Sequence, residues 1–170
     1  TRPDFFPLIN GERVKPSSKT HRTQLCFTNR DMIAAFKQEF DAQVVRHPTA
    51  SIYRVMIEDN HDQCQCEACQ ADITLPDGSV LTAKEPNFYS TRFFLFLNEI
   101  AEHTKANHPG KDLLCFAYFF TETPPAIKVD PIIRVQFCPI FKNSKYPITA
   151  PQNQVTLDKF NAWLDNTKNL

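Results

Sequence analysis

The sequence predicts an α/β fold of about four parallel strands with flanking helices, roughly half of a (β/α)8 TIM-barrel-like architecture. Two observations carry this. Apolar runs of strand length alternate with longer stretches whose apolar residues recur at three- and four-residue steps, the signature of successive βα units. The chain has 170 residues, whereas a closed barrel typically needs ~250. It is therefore expected to form a single domain over 1–170 that is one piece of a larger barrel.

The elements follow in order. After a polar lead-in from Gly11 to Thr20, Gln24 to Phe27 is the first predicted strand. Thr28-Asn29-Arg30-Asp31 opens a helix on which Met32, Ile33, Phe36 and Phe40 form an apolar stripe, and His47-Pro48 ends it. Ile52 to Ile57 is the second strand. It runs into a long loop that includes the turn signal Leu75-Pro76-Asp77-Gly78-Ser79. Phe88, Phe93, Phe94, Leu97, Ile100 and Ala101 then define a helix stopped by Pro109-Gly110. Leu113 to Phe120 reads as a strand buried on both faces. Ile132 to Phe137 is the last strand, and Leu157, Phe160, Trp163 and Leu164 mark the last helix.

Composition excludes several classes. Lys+Arg and Asp+Glu balance at 19 each, so no net field steers the chain toward nucleic acid or an anionic membrane. No apolar run reaches the ~20 residues of a membrane span, and Thr1-Arg2-Pro3-Asp4 lacks the features of a signal peptide. The start without Met is expected of a processed protein or of a piece of a longer one. Gly11, Gly78 and Gly110 are too far apart to assemble a phosphate-binding glycine loop, and no cofactor is expected.

The most informative segment follows Ile57. Glu58-Asp59-Asn60-His61-Asp62 and then Cys64-Gln65-Cys66-Glu67-Ala68-Cys69 crowd carboxylates, an imidazole and three thiols at one strand exit, where ligands of parallel sheets bind. The thiol spacing supplies one C-x-x-C and an extra Cys without a second pair. Under oxidising conditions this favours one disulfide and a leftover thiol. The alternative is a metal held by Cys64, Cys66 and Cys69 with His61 or Asp62 as fourth ligand. Cys26, Cys115 and Cys138, in or beside strands, are expected to behave as small hydrophobes.

Three stretches carry a family resemblance. They are Arg2-Pro3-Asp4-Phe5-Phe6-Pro7-Leu8 with Asn10-Gly11-Glu12-Arg13; Gln24-Leu25-Cys26-Phe27-Thr28-Asn29; and Asp59 followed by the Cys64 to Cys69 cluster. Phe96 to Ala101, Ala117-Tyr118 with Thr123-Pro124-Pro125, and Trp163 extend it. Together they resemble a bacterial family of large secreted proteins described only as a domain of unknown function. Its members look like glycoside hydrolases, with a barrel related to those of β-hexosaminidases and α-glucuronidases. The resemblance implies a carbohydrate partner, a secreted, periplasmic or cell-surface setting, and a longer parent polypeptide of which this chain covers the middle of the barrel.

A glycosidase needs two carboxyl groups held ~5–10 Å apart. Asp59, Glu122 and Glu58 are the candidates. Glu58 and Asp59 are adjacent, so extended backbone turns them to opposite sides, and Asp59 is the first choice. His61, Tyr118 and Asn29 are candidate substrate contacts, with helix capping the competing role for Asn29. A non-catalytic carbohydrate-binding or interaction domain on the same scaffold is the alternative function. Arg92 and Asn98 are expected to make helix-to-sheet or interhelical hydrogen bonds rather than do chemistry.

Overall fold

A computed structural model describes residues 2–17 and 23–170; Ser18 to Thr20 of the polar lead-in lie outside the described residues. After a 3-10 turn at Pro3–Phe5, β1 (Leu8–Ile9) and β2 (Glu12–Arg13) form an antiparallel hairpin. Asn10 and Gly11 close it at φ 50° and 85°, the left-handed backbone that two-residue hairpin turns require. Helix α1 (Arg30–Arg46) leads to β3 (Ile52–Arg54). The long loop after β3 is structured rather than loose. It carries the single-turn helix α2 (Glu67–Gln70) and a hairpin of β4 (Ile73–Thr74) and β5 (Val80–Leu81) around the predicted turn. Then come α3 (Phe88–Asn107), β6 (Asp112–Ala117), β7 (Ile133–Phe137) and α4 (Gln154–Asn166).

The sheet that organises the molecule is three-stranded, in the order β3-β6-β7, with both pairs parallel. The crossover from β3 to β6 carries α3, whereas that from β6 to β7 carries only a 3-10 turn at Phe119–Thr121. The fourth expected strand does not form: Gln24 to Cys26 pairs in no ladder among the described residues, and Phe27 lies in a turn. Its hydrogen bonds go elsewhere. The Gln24 side chain donates to the Glu58 carbonyl at 2.9 Å and accepts from the Glu58 amide at 3.2 Å, and the Cys26 amide donates to Phe5 O at 2.9 Å. Apolar composition marked an extended segment, but only a partner makes a strand. On the far side of the sheet, the Val135 amide donates to Asn169 O at 2.8 Å, so the segment after α4 returns beside β7.

Alternation along the strands separates two faces. Tyr53, Val55, Leu113, Cys115, Ala117, Ile133 and Val135 are buried, and they pack with Ile33, Phe40 and Val44 of α1, Phe93, Phe94, Leu97 and Ile100 of α3, and Trp163 of α4. Their neighbours Arg54, Leu114, Phe116, Arg134 and Gln136 point to the other face and are half-buried or exposed. The expectation that β6 is buried on both faces is corrected accordingly: α1, α3 and α4 all contribute to the core on one face. At ~25 cal/mol per Å² of apolar surface removed from water, this face carries most of the stability.

Charge also joins α1 to α3. Glu99 accepts both Arg30 Nη atoms, at 2.6 and 2.8 Å, and Lys37 Nζ at 2.7 Å. The Arg30 guanidinium, with help from Lys37, holds the Glu99 carboxyl at about 2, against the opposing effect of its partial burial. A depressed carboxyl stabilises the fold above its ordinary range near 4.5 and loses that contribution as pH falls toward 2. Because the groups are partly solvated, we expect Glu99→Gln to cost about 1 kcal/mol at pH 7. Urea titrations of both proteins should converge as pH approaches 2; a gap that persists there would contradict this role.

Candidate functional site

All three strands of a parallel sheet end at one edge, so the segments after β3, β6 and β7 share a rim. The exit of β3 is fastened by side-chain amides. Gln24 grips the backbone of Glu58, donates to Asn60 Oδ1 at 3.0 Å, and Asn60 Oδ1 in turn accepts from the Asp62 amide at 3.0 Å. Glu58 is half-buried beside a groove of about 510 Å³ that Gln24, Phe27, Phe36 and Val55 also line. Asp59, one residue on, is exposed. The two acids therefore meet different surroundings, as adjacent residues of extended chain should.

The exit of β6 makes a sharp turn. Phe119 adopts φ 47°, a costly conformation for a residue bearing a side chain. Thr121 locks it: its Oγ1 donates toward Phe116 O and Tyr118 O and accepts from the Tyr118 amide at 3.0 Å. The turn presents Phe119 to the neighbouring exit, where the His61 ring meets it edge-on at 4.7 Å. Tyr118 packs edge-on against Phe119 at 4.3 Å. His61 and Tyr118 thus share a continuous aromatic stretch of rim between β3 and β6. Asn29 has a different place. It caps α1 by accepting the Met32 amide at 2.9 Å and donates to Asp4.

Glu122 comes just after the turn, and its side chain is only 6% exposed. Its carboxylate accepts from Lys159 Nζ at 2.9 Å, and its carbonyl accepts Trp163 Nε1 at 3.0 Å, both from α4. It is a buried ion-pair partner, held to α4. Asn98 and Arg92 tie α3 to loops rather than to the sheet or another helix: Asn98 bonds the Lys128 carbonyl and the Asp130 amide, and Arg92 donates to the Ala71 carbonyl.

The thiols depart most from expectation. All six cysteines are free. Cys64, Cys66 and Cys69 converge, but the fourth member is Cys26, not His61 or Asp62; the four Sγ atoms lie within 4.8 Å of one another. Cys26 Sγ stands 3.6 Å from Cys64, 3.6 Å from Cys66 and 3.8 Å from Cys69. Hydrogen bonds from Cys64 and then Cys69 hold the Cys26 thiol far below its ordinary range, while sharing with Cys26 pushes Cys64 and Cys69 up. Cys115, buried under the helices, is pushed up by burial alone. Cys26 lies 38 residues before Cys64, so no local spacing pointed to it. The odd number of clustered thiols was the available signal.

A second polar group, Asp41 with His103 and His108, joins α1 to the end of α3 at the opposite edge of the sheet. Both Nε2 atoms sit 2.7 Å from the same carboxylate oxygen. This is the geometry of paired hydrogen bonds that fasten two helices, and they hold the Asp41 carboxyl low against the upward push of burial.

The fold and site define a mixed α/β protein with helices on one face of a parallel sheet and a cluster of four thiols beside its strand-exit rim. The chain belongs to the family described as Domain of unknown function (DUF4838), whose sequence profile matches residues 1–170. No curated protein and no solved structure matches it. Among the described residues no helix is long and apolar enough to cross a membrane.

Proposed function

We propose that this chain is part of a (β/α)8-type barrel of a glycoside-hydrolase-like protein acting on a polysaccharide or glycan, with Asp59 as the central carboxylate of the cleft. The observation that carries the reading is the placing of all three core helices on one face of a sequentially ordered parallel sheet. A doubly wound sheet covers both faces, whereas a barrel reserves one for its interior. The half-covered face of Leu114 and Phe116 and the groove beside β3 are surfaces that further barrel strands of a parent polypeptide would cover. In this reading the parent is a secreted or cell-surface bacterial protein.

Asp59 sits exposed at the β3 exit, next to the aromatic rim of His61, Phe119 and Tyr118, and sugar rings present apolar faces that such side chains cover. The burial of Glu122 against Lys159 favours a second reading, a non-catalytic carbohydrate-binding domain. A glycan and chromogenic-glycoside screen of the parent protein, repeated with Asp59→Asn, separates the two. Hydrolysis predicts turnover reduced by at least ~100-fold. Retained glycan binding without turnover in either protein would favour the binding domain, and unchanged turnover in the variant would remove Asp59 from the chemistry.

A further inference from the structure

We propose that Cys26, Cys64, Cys66 and Cys69 bind one zinc ion in a closed tetrahedral four-thiolate centre. The distances decide against the alternatives. A disulfide requires ~2.05 Å between sulfurs, and unrelated thiols have no reason to converge four at a time. A tetrahedral zinc with Zn–S of ~2.3 Å places its sulfurs ~3.8 Å apart. The separations from Cys26 are 3.6, 3.6 and 3.8 Å.

The surroundings are those of ligated thiolates. The Leu8 amide donates to Cys64 Sγ at 3.3 Å, Arg13 Nη1 approaches the same sulfur at 3.7 Å, and Thr28 Oγ1 lies 3.0 Å from Cys69 Sγ. Such outer contacts orient metal ligands and stabilise their charge. Four thiolates around a divalent ion leave a double negative charge, which needs cations nearby. Arg13 is one. Arg92 is another: it lines a small cavity with Cys64 and Cys69, and its Nε is buried without a hydrogen-bond partner among the described residues. Cys66 caps α2, with the Cys69 amide donating to its carbonyl at 3.0 Å, so the C-x-x-C pair is held in a tight turn.

Four protein ligands leave no open position, so the ion is structural rather than catalytic. It joins three separate parts of the chain: the β1–β2 hairpin through Leu8 and Arg13, the approach to α1 through Cys26, and the loop that carries Asp59. The centre is a clasp on the strand-exit rim and does not depend on the sugar chemistry proposed above.

Elemental analysis of protein purified under reducing conditions and loaded with zinc should find one zinc per chain. Substitution by Co²⁺ should give the intense visible bands of a tetrahedral four-thiolate site. Cys26→Ser should weaken Co²⁺ binding by at least ~100-fold and shift those bands, since losing a ligand costs more than losing an outer contact. His61→Ala and Cys138→Ser should leave them unchanged. Wild-type protein needs no variant: zinc should protect four thiols from a thiol reagent, and a chelator should release them. Substoichiometric metal after loading, equal thiol reactivity with and without zinc, or a spectrum that responds to His61→Ala but not to Cys26→Ser would overturn the centre.

Discussion

Trp163→Ala should destabilise the fold by about 4 kcal/mol, near the top of the range for single core truncations. Trp163 is fully buried, its ring lies 5.4 Å from that of Phe94, and its Nε1 donates to Glu122 O at 3.0 Å. Truncation leaves a cavity between α4 and α3 and an unpaired carbonyl at the turn after β6. The second loss adds about 1 kcal/mol to the first. Trp163→Phe keeps most of the apolar volume, so it should cost about half as much. Because the chain has one Trp, urea unfolding should be followed by circular dichroism rather than fluorescence. A loss under about 1 kcal/mol for Trp163→Ala would mean that α4 is not part of the core.

The stretches that carried their own evidence were the readable ones. Helices α1 and α3 bury Met32, Ile33 and Phe40, and Phe93, Phe94, Leu97 and Ile100, at the spacings that predicted them. The Asp77-Gly78 turn closes a hairpin as its residues require. Local pattern failed where the deciding partner was remote. Gln24 to Phe27 has strand-like composition but spends its hydrogen bonds on Phe5 and Glu58. Lys159, 37 residues from Glu122, makes that acid a buried partner rather than an open one. Cys26 sits in a strand-like stretch that predicts only a small hydrophobe; its thiol partners come from a loop across the fold. The parallel rim was therefore legible in position, while the state of each group on it was not.

Removing zinc from the four-thiolate centre should open the rim locally and leave the main core intact. Cys26, Cys64 and Cys69 form a small cluster of their own, and among the described residues Leu8 and Cys66 pack against it. Structural zinc in small sites contributes ~10–16 kcal/mol of binding energy, far more than so few apolar contacts can replace. In hydrogen exchange, the amides of Leu8, Gln65, Cys69 and Gln70 are the reporters. The first donates to Cys64 Sγ, the second to Leu8 O, and the last two to Cys66 O. Chelation should speed their exchange by at least ~100-fold, while the amides of β6, paired on both sides, keep the protection of the global fold. Parallel loss of protection in β6 would instead make the ion part of the folding core. Unchanged exchange at Leu8 and Gln65 would show that the hairpin and loop hold together without it, and the clasp would then have no structural work to do.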